Sequence, residues 1–179
     1  MEIEKVKEAV KSLLQALGEN PDREGLRETP DRVARFYKDF LENEREFKAT
    51  SFTSDYDQMV VVKDIGFYSL CEHHLLPFFG KVSVGYIPKS GRVLGLSKMC
   101  RLVRKHSGRL QIQERLVQDI AKELECIVDP LGCGVIVKSQ HLCMMMRGVK
   151  QQESVVTTNC LLGNFREGEV KEEFFKVVL

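Results

Sequence analysis

Two short clusters of cysteine and histidine, far apart along the chain, constrain its fold more than any other feature. Cys71-Glu72-His73-His74 has the spacing C-x-x-H, and His141-Leu142-Cys143 has the spacing H-x-C. Thiolate and imidazole are the preferred donors to zinc. Two intervening residues let Cys71 and His74 converge on one ion from a single turn. A second arm is then needed to close the site, and residues 141–143 supply one. A fold that uses both arms must carry residue 143 to residue 71. The alternative is that Cys71 and Cys143 are small core hydrophobes and the histidines are surface groups.

Cys71, His73, His74, His141 and Cys143 are more candidate donors than a closed structural site uses, which is four. A catalytic site keeps three protein donors and one open position. Cys71, His74 and Cys143 would form such a set, leaving His73 and His141 to move protons near neutral pH. The other cysteines, Cys100, Cys126, Cys133 and Cys160, read as structural.

Composition narrows the classes further. A chain of 179 residues is one compact domain by default. Its formal net charge of +1 argues against a general nucleic-acid coat, while leaving room for a local basic pocket. No apolar run approaches the ~20 residues of a membrane span. Met1-Glu2-Ile3-Glu4-Lys5 lacks the basic and apolar regions of a secretory leader, so a cytoplasmic protein with reduced cysteines is expected.

Apolar residues at Ile3, Val6, Val10, Leu13, Leu14 and Leu17 predict an amphipathic helix stopped by Gly18. Asn20-Pro21 and Thr29-Pro30 each resemble an N-cap followed by proline, and Val33 to Leu41 carry a second helical stripe. Residues 43–58 read as a polar loop. Strands are expected over 59–70, 80–88, 92–96, 133–139 and 154–162. Helices are expected from Ser97, as cap, to about Lys105, from Gln111 to Val128, and from Glu172 to Val178. The order implies an α+β domain, with an antiparallel sheet and helices layered on one face.

Three further stretches carry chemistry. Gly95-Leu96-Ser97-Lys98-Met99-Cys100-Arg101 sets Lys98 and Arg101 on one side of a helix start, which suits a phosphate or is simply a solvated face. In Leu110-Gln111-Ile112-Gln113-Glu114-Arg115, Glu114 either accepts paired donors from a ligand ring or is a first-turn carboxylate favoured by the helix dipole. Met144-Met145-Met146-Arg147-Gly148 reads as plastic packing, with Arg147 able to clamp an anion.

Together with Thr29-Pro30-Asp31-Arg32-Val33-Ala34 and Cys71-Glu72-His73-His74-Leu75-Leu76-Pro77, these blocks closely resemble the type I GTP cyclohydrolase family, in collinear order from about residue 5 to the C-terminus. The resemblance implies hydrolysis of GTP at C8, loss of formate, and rearrangement to 7,8-dihydroneopterin triphosphate, the entry to folate or biopterin synthesis. It implies one zinc ion per subunit on Cys71, His74 and Cys143, and proton transfer by His73 and His141. Guanine recognition falls on Glu114 with Gln113, and triphosphate binding on Ser97, Lys98, Arg101, Arg147 and Arg32.

The implied fold is the tunnelling fold: a four-stranded antiparallel sheet with two helices on one face, plus N-terminal helices. Residues 1–58 would be the helical region and 59–179 the catalytic region of one domain. The implied assembly is a decamer of two pentamers with active sites between subunits, with no nucleic-acid or membrane partner. Two segments depart from the family pattern: Asn159-Cys160-Leu161-Leu162-Gly163-Asn164 looks irregular for a last strand, and His106-Ser107-Gly108 looks like a loose linker. A zinc nucleobase deaminase would need H-x-E with P-C-x-x-C, which the chain lacks. A non-catalytic zinc scaffold would have no need of His141.

Overall fold

The structure, a computed structural model, describes residues 1–42 and 49–179 and divides into two compact units, residues 1–43 and 44–179. In the first unit, α1 spans Ile3–Ala16 and α2 spans Thr29–Glu42. Gly18 ends α1 as expected. At φ 83° it donates to Gln15 O while Glu19 N donates to Leu14 O, both at 3.0 Å, so two orphan carbonyls are satisfied. Thr29-Pro30 begins α2, with Thr29 already inside the helix. Asn20-Pro21 starts no helix. The Asn20 side chain instead accepts a hydrogen bond from Asp22 N at 3.0 Å, closing a local turn.

The second unit is built on a five-stranded sheet in the order β5-β2-β3-β6-β7, formed by β2 (Val60–Cys71), β3 (Pro77–Ile87), β5 (Leu110–Gln111), β6 (Gly132–His141) and β7 (Val156–Gly163). Four of them, β2, β3, β6 and β7, are antiparallel, but the sheet has five strands rather than the four that the resemblance implied, and the strand expected over 92–96 does not join it. The fifth, β5, adds a short parallel pairing, Leu70↔Leu110 and Cys71↔Gln111. Gln111 thus belongs to a strand, and the long helix α4 begins later, at Gln113, running to Val128. Part of the expected 43–58 loop, residues 43–48, lies outside the described residues. Within its remainder, Ser51–Thr53 form β1, which pairs antiparallel with β4 (Arg92–Leu94).

α3 (Leu96–Ser107) and α4 cover one face of the sheet. Phe78, Val82, Val84 and Tyr86 of β3 alternate toward them, as do Cys133, Val135 and Val137 of β6. They meet Met99, Leu102, Leu116, Ile120 and Leu124 from the helices. A bulge in β2 keeps that strand in step. Val62 pairs with Val84 and Ile65 with Val82, so one extra residue is accommodated, with Asp64 at φ 60°. The extra residue resets the alternation, and Val60, Val62, Ile65 and Phe67 all reach the same core.

α3 starts one residue before Ser97, on Gly95, whose carbonyl accepts from Lys98 N at 2.8 Å, so Ser97 is not its cap. The expected linker His106-Ser107-Gly108 is the buried end of α3, with His106 Nε2 2.6 Å from Glu123 Oε2. Desolvation holds the His106 imidazole below the usual histidine range, even though Glu123 pulls the other way. Residues 159–162 are regular strand, and the register on β6 runs from Asn159↔Ile136 to Gly163↔Gly132, where Gly163 at φ 55° leads into a 3-10 turn from Asn164.

The opposite sheet face carries a second, smaller core under α6 (Gly168–Val178), a longer helix than the sequence pattern indicates. Gly85 and Gly134 are direct cross-strand partners, and a Cβ on either would stand 2.8 or 2.7 Å from the Phe174 ring. The two glycines make the flat seat on which that ring is buried. Gly134→Ala is expected to destabilise the protein by about 1–3 kcal/mol through overpacking. Gly66→Ala, on β2 with open space around it, serves as the control. Urea midpoints of the two variants check this; an equal midpoint would remove the seat.

Candidate metal centre and proton-transfer site

Cys71 is the last residue of β2, and its backbone closes the hairpin turn that follows. Cys71 N donates to Leu76 O and Cys71 O accepts from Leu75 N, both at 2.8 Å, while Leu75 takes φ 56°. The turn holds His74 Nδ1 3.9 Å and His73 Nδ1 4.0 Å from Cys71 Sγ. The β3–β6 register places His141 opposite Phe78, directly across from the strand that leaves this turn. β6 then passes into α5 (Leu142–Met145), which delivers Cys143. The donor atoms of Cys71, His74 and Cys143 lie within 4.8 Å of one another.

This donor set fits a zinc ion: two soft sulfurs and one imidazole, with fewer donors than a closed structural site takes. Burial pushes the Cys143 thiol above its usual range, and the neighbouring Cys71 adds to this. A metal ion held by Cys71 and Cys143 would favour their thiolate forms.

His141 is held with little freedom. Its ring stacks on Phe78, with centroids 4.6 Å apart and planes 2° from parallel. Its Nε2 lies 2.8 Å from Gln113 Oε1. The orientation of that amide follows from its other contacts, because Gln113 Nε2 donates to Val137 O at 3.1 Å and Val156 O at 3.0 Å. Oε1 therefore accepts, from Ser139 Oγ at 2.5 Å and from His141. On this network Nε2 carries the imidazole proton and Nδ1 is left with the lone pair. Burial holds the His141 pKa below the ordinary value, and the Glu114 carboxylate partly restores it. Burial thus favours the neutral imidazole at His141.

The remaining candidates occupy distinct places. Glu114 is exposed in the first turn of α4, beside the buried Gln113. The Gln113 side chain, expected alongside Glu114 toward a ligand, is turned inward and fully engaged. Arg147, just beyond α5, sets a guanidinium nitrogen 2.8 Å from His74 Nε2. Ser97, Lys98 and Arg101 stand on the first turns of α3. Among the described residues no hydrogen bond or ion pair joins them to the cysteine–histidine cluster. Arg32 belongs to the N-terminal unit, where it pairs with Glu28 at 2.7 Å.

Of the remaining cysteines, Cys133 is buried, and burial pushes its thiol up to about 12, an unreactive group. Cys160 is half-buried and shifted the same way, whereas Cys100 and Cys126 are exposed and form no part of the core. Sequence reasoning missed Ser139 and Phe78. Ser139 was legible in principle, since it lies two residues before His141 and so shares its face of β6. Phe78 was not, because its stacking on His141 depends on the register between strands.

Comparison with known proteins places this arrangement. Residues 6–179 match the sequence profile of GTP cyclohydrolase I. A GTP cyclohydrolase 1 from Aquifex aeolicus is 51% identical over 178 residues, covering 98% of this chain and 96% of that protein. One from a Sulfurihydrogenibium species is 50% identical, covering 97% and 94%. The Saccharomyces cerevisiae GTP cyclohydrolase 1 is 45% identical over 98% of this chain and 74% of its own length. With its Cys/His arms joined in space and its length matched almost from end to end, the chain is an enzyme belonging to the GTP cyclohydrolase I family.

Proposed function

We propose that the chain hydrolyses GTP at C8 and rearranges it to 7,8-dihydroneopterin triphosphate and formate, in a zinc-dependent reaction that opens folate or biopterin synthesis. The observation that carries this reading is the convergence of Cys71, His74 and Cys143 beside a His141 whose Nε2 is tied down by Gln113. The chemistry that zinc supplies when bound to those three side chains is Lewis acidity toward water near neutral pH. His141 exchanges its proton through Nδ1, and burial, which favours its neutral form, leaves it able to take up a proton and pass it to the opening purine ring. His73, next to the same cluster, assists.

Glu114 reads guanine, accepting from the N–H and NH₂ edge that adenine lacks, so the wrong base leaves a carboxylate unpaired. The Gln113 side chain is committed to His141, so the contribution of Gln113 to the ligand is through its main chain at the helix start. Ser97, Lys98, Arg101, Arg147 and Arg32 hold the triphosphate. The positive charges of Lys98, Arg101, Arg147 and Arg32 answer its negative charge although the chain as a whole is nearly neutral.

The chain forms a tunnelling fold that assembles edge to edge into rings, two pentamers making a decamer in the cytoplasm. Two features support this. β7 pairs with β6 on one side, and residues 60–69 of β2 lie beyond its short pairing with β5, so among the described residues the sheet has open edges of the kind that invite pairing. His73, His74, Glu114 and Arg147 are exposed, which suits a site completed by a neighbouring subunit. Among the described residues, no helix is long and apolar enough to cross a membrane.

The direct test is incubation with GTP, followed by oxidation and detection of a fluorescent pterin, with and without a chelator. Purified protein should hold one zinc per chain, and Cys143→Ala should lose both metal and activity; retention of either would refute that ligand. His141→Ala should keep zinc and GTP binding while turnover falls by about 10²–10⁴-fold. Unchanged turnover would remove His141 from proton transfer. Glu114→Gln should weaken GTP binding by about 1.5–3 kcal/mol, measured by calorimetry. Equal affinity would mean that guanine is read elsewhere.

A further inference from the structure

Between the metal-holding turn and the start of α4 lies a brace that the proposed chemistry leaves unused. Arg115, in the first turn of α4, donates from Nε to Gln111 Oε1 at 2.9 Å, and its NH2 forms an ion pair with Glu72 Oε2. Glu72 is the residue between Cys71 and His73. Gln111 is only 1% exposed. Its side-chain nitrogen donates to Asp119 Oδ2 at 3.2 Å, and its backbone oxygen accepts from Glu72 N at 3.2 Å. The β2–β5 ladder ends at the pair Cys71↔Gln111. Beyond that pair the chain turns away through His73 and His74, and the Arg115–Glu72 contact continues the attachment by side chains.

The two ends of this brace carry different halves of the proposed chemistry. One end is the turn with Cys71, His73 and His74. The other is the helix start with Gln113, which holds His141, and Glu114. The Arg115 and Glu72 side chains are 44% and 34% exposed, so their pairing contributes little to overall stability. Its consequence is geometric. A guanidinium that spans a buried amide and a carboxylate leaves the turn few orientations relative to α4.

We propose that Arg115 is a positioning residue, acting through Glu72 and Gln111 to hold the metal-binding turn in register with the start of α4. This rests on the zinc reading given above. Groups behind the metal donors that orient them affect metal affinity and activity by about 10–100-fold when removed.

The experiment compares Arg115→Met, Arg115→Lys, Glu72→Gln and the double variant Arg115→Met/Glu72→Gln with the wild-type enzyme. Zinc affinity is read by competition with a chromogenic chelator, kcat and KM by GTP turnover, and folding by the urea midpoint in saturating zinc. Arg115→Met is expected to bind zinc about 10–100-fold more weakly and to lose kcat more than KM, with the urea midpoint preserved. Arg115→Lys, which keeps the charge toward Glu72 but not the fork onto Gln111, should fall between. The double variant should be no worse than Arg115→Met alone. Wild-type zinc affinity and kcat in Arg115→Met would overturn the proposal, as would losses that simply add in the double variant. Should Arg115→Met fail to fold, the lysine variant decides, and wild-type zinc affinity there overturns it. A wild-type enzyme without zinc or turnover would instead refute the zinc reading itself.

Discussion

In the β3–β6 ladder Phe78 stands opposite His141, and the geometry of the site follows from that pairing. The turn carrying Cys71 and His74 lies just before β3, and Cys143 lies just after β6. Matching Phe78 with His141 therefore brings two distant cysteines within reach of one ion. A slip of one residue would turn His141 to the other face of the sheet and move Val135 and Val137 out of the core. Burial of those valines under α3 and α4 thus holds the same register that assembles the site. Stability and chemistry share one constraint.

The remaining devices of the fold protect that register. The extra residue at Asp64 lets Val60, Val62, Ile65 and Phe67 all reach one core, so one face of the strand that ends in Cys71 packs against it from end to end. On the opposite face, Gly85 and Gly134 admit Phe174 against bare backbone, which pins the far ends of β3 and β6 together. The Gln113 amide then uses all its hydrogen-bonding capacity to join α4 to Val137, Val156, Ser139 and His141. A buried amide so committed fixes which nitrogen of His141 carries the proton.

Several elements were legible because the signals are local. The α1 stripe and its Gly18 stop, the core face of α4, and the alternation along β3 all depend on neighbours a few residues away. The failures share an opposite cause. Ser51–Thr53 form a strand only because Arg92–Leu94 supply a partner, and Gln111 joins β5 only because Cys71 lies beside it. Asn20-Pro21 carries a helix-start signature, but the asparagine closes a turn with Asp22 instead. His106-Ser107-Gly108 has the composition of a linker, yet the fold buries His106 against Glu123.

By itself the sequence determined which cysteines and histidines could serve as metal donors, the α+β order of elements, and the family to which the chain belongs. Residue type and spacing carry this information, since only certain side chains bind a soft metal and only certain periodicities bury one face. The tertiary structure decided how those donors are used. It stacked His141 on Phe78, turned Gln113 inward, and joined Arg115 to Glu72. Each of these contacts unites residues from different elements, so it exists only after packing has set the strand register and seated α4 on the sheet.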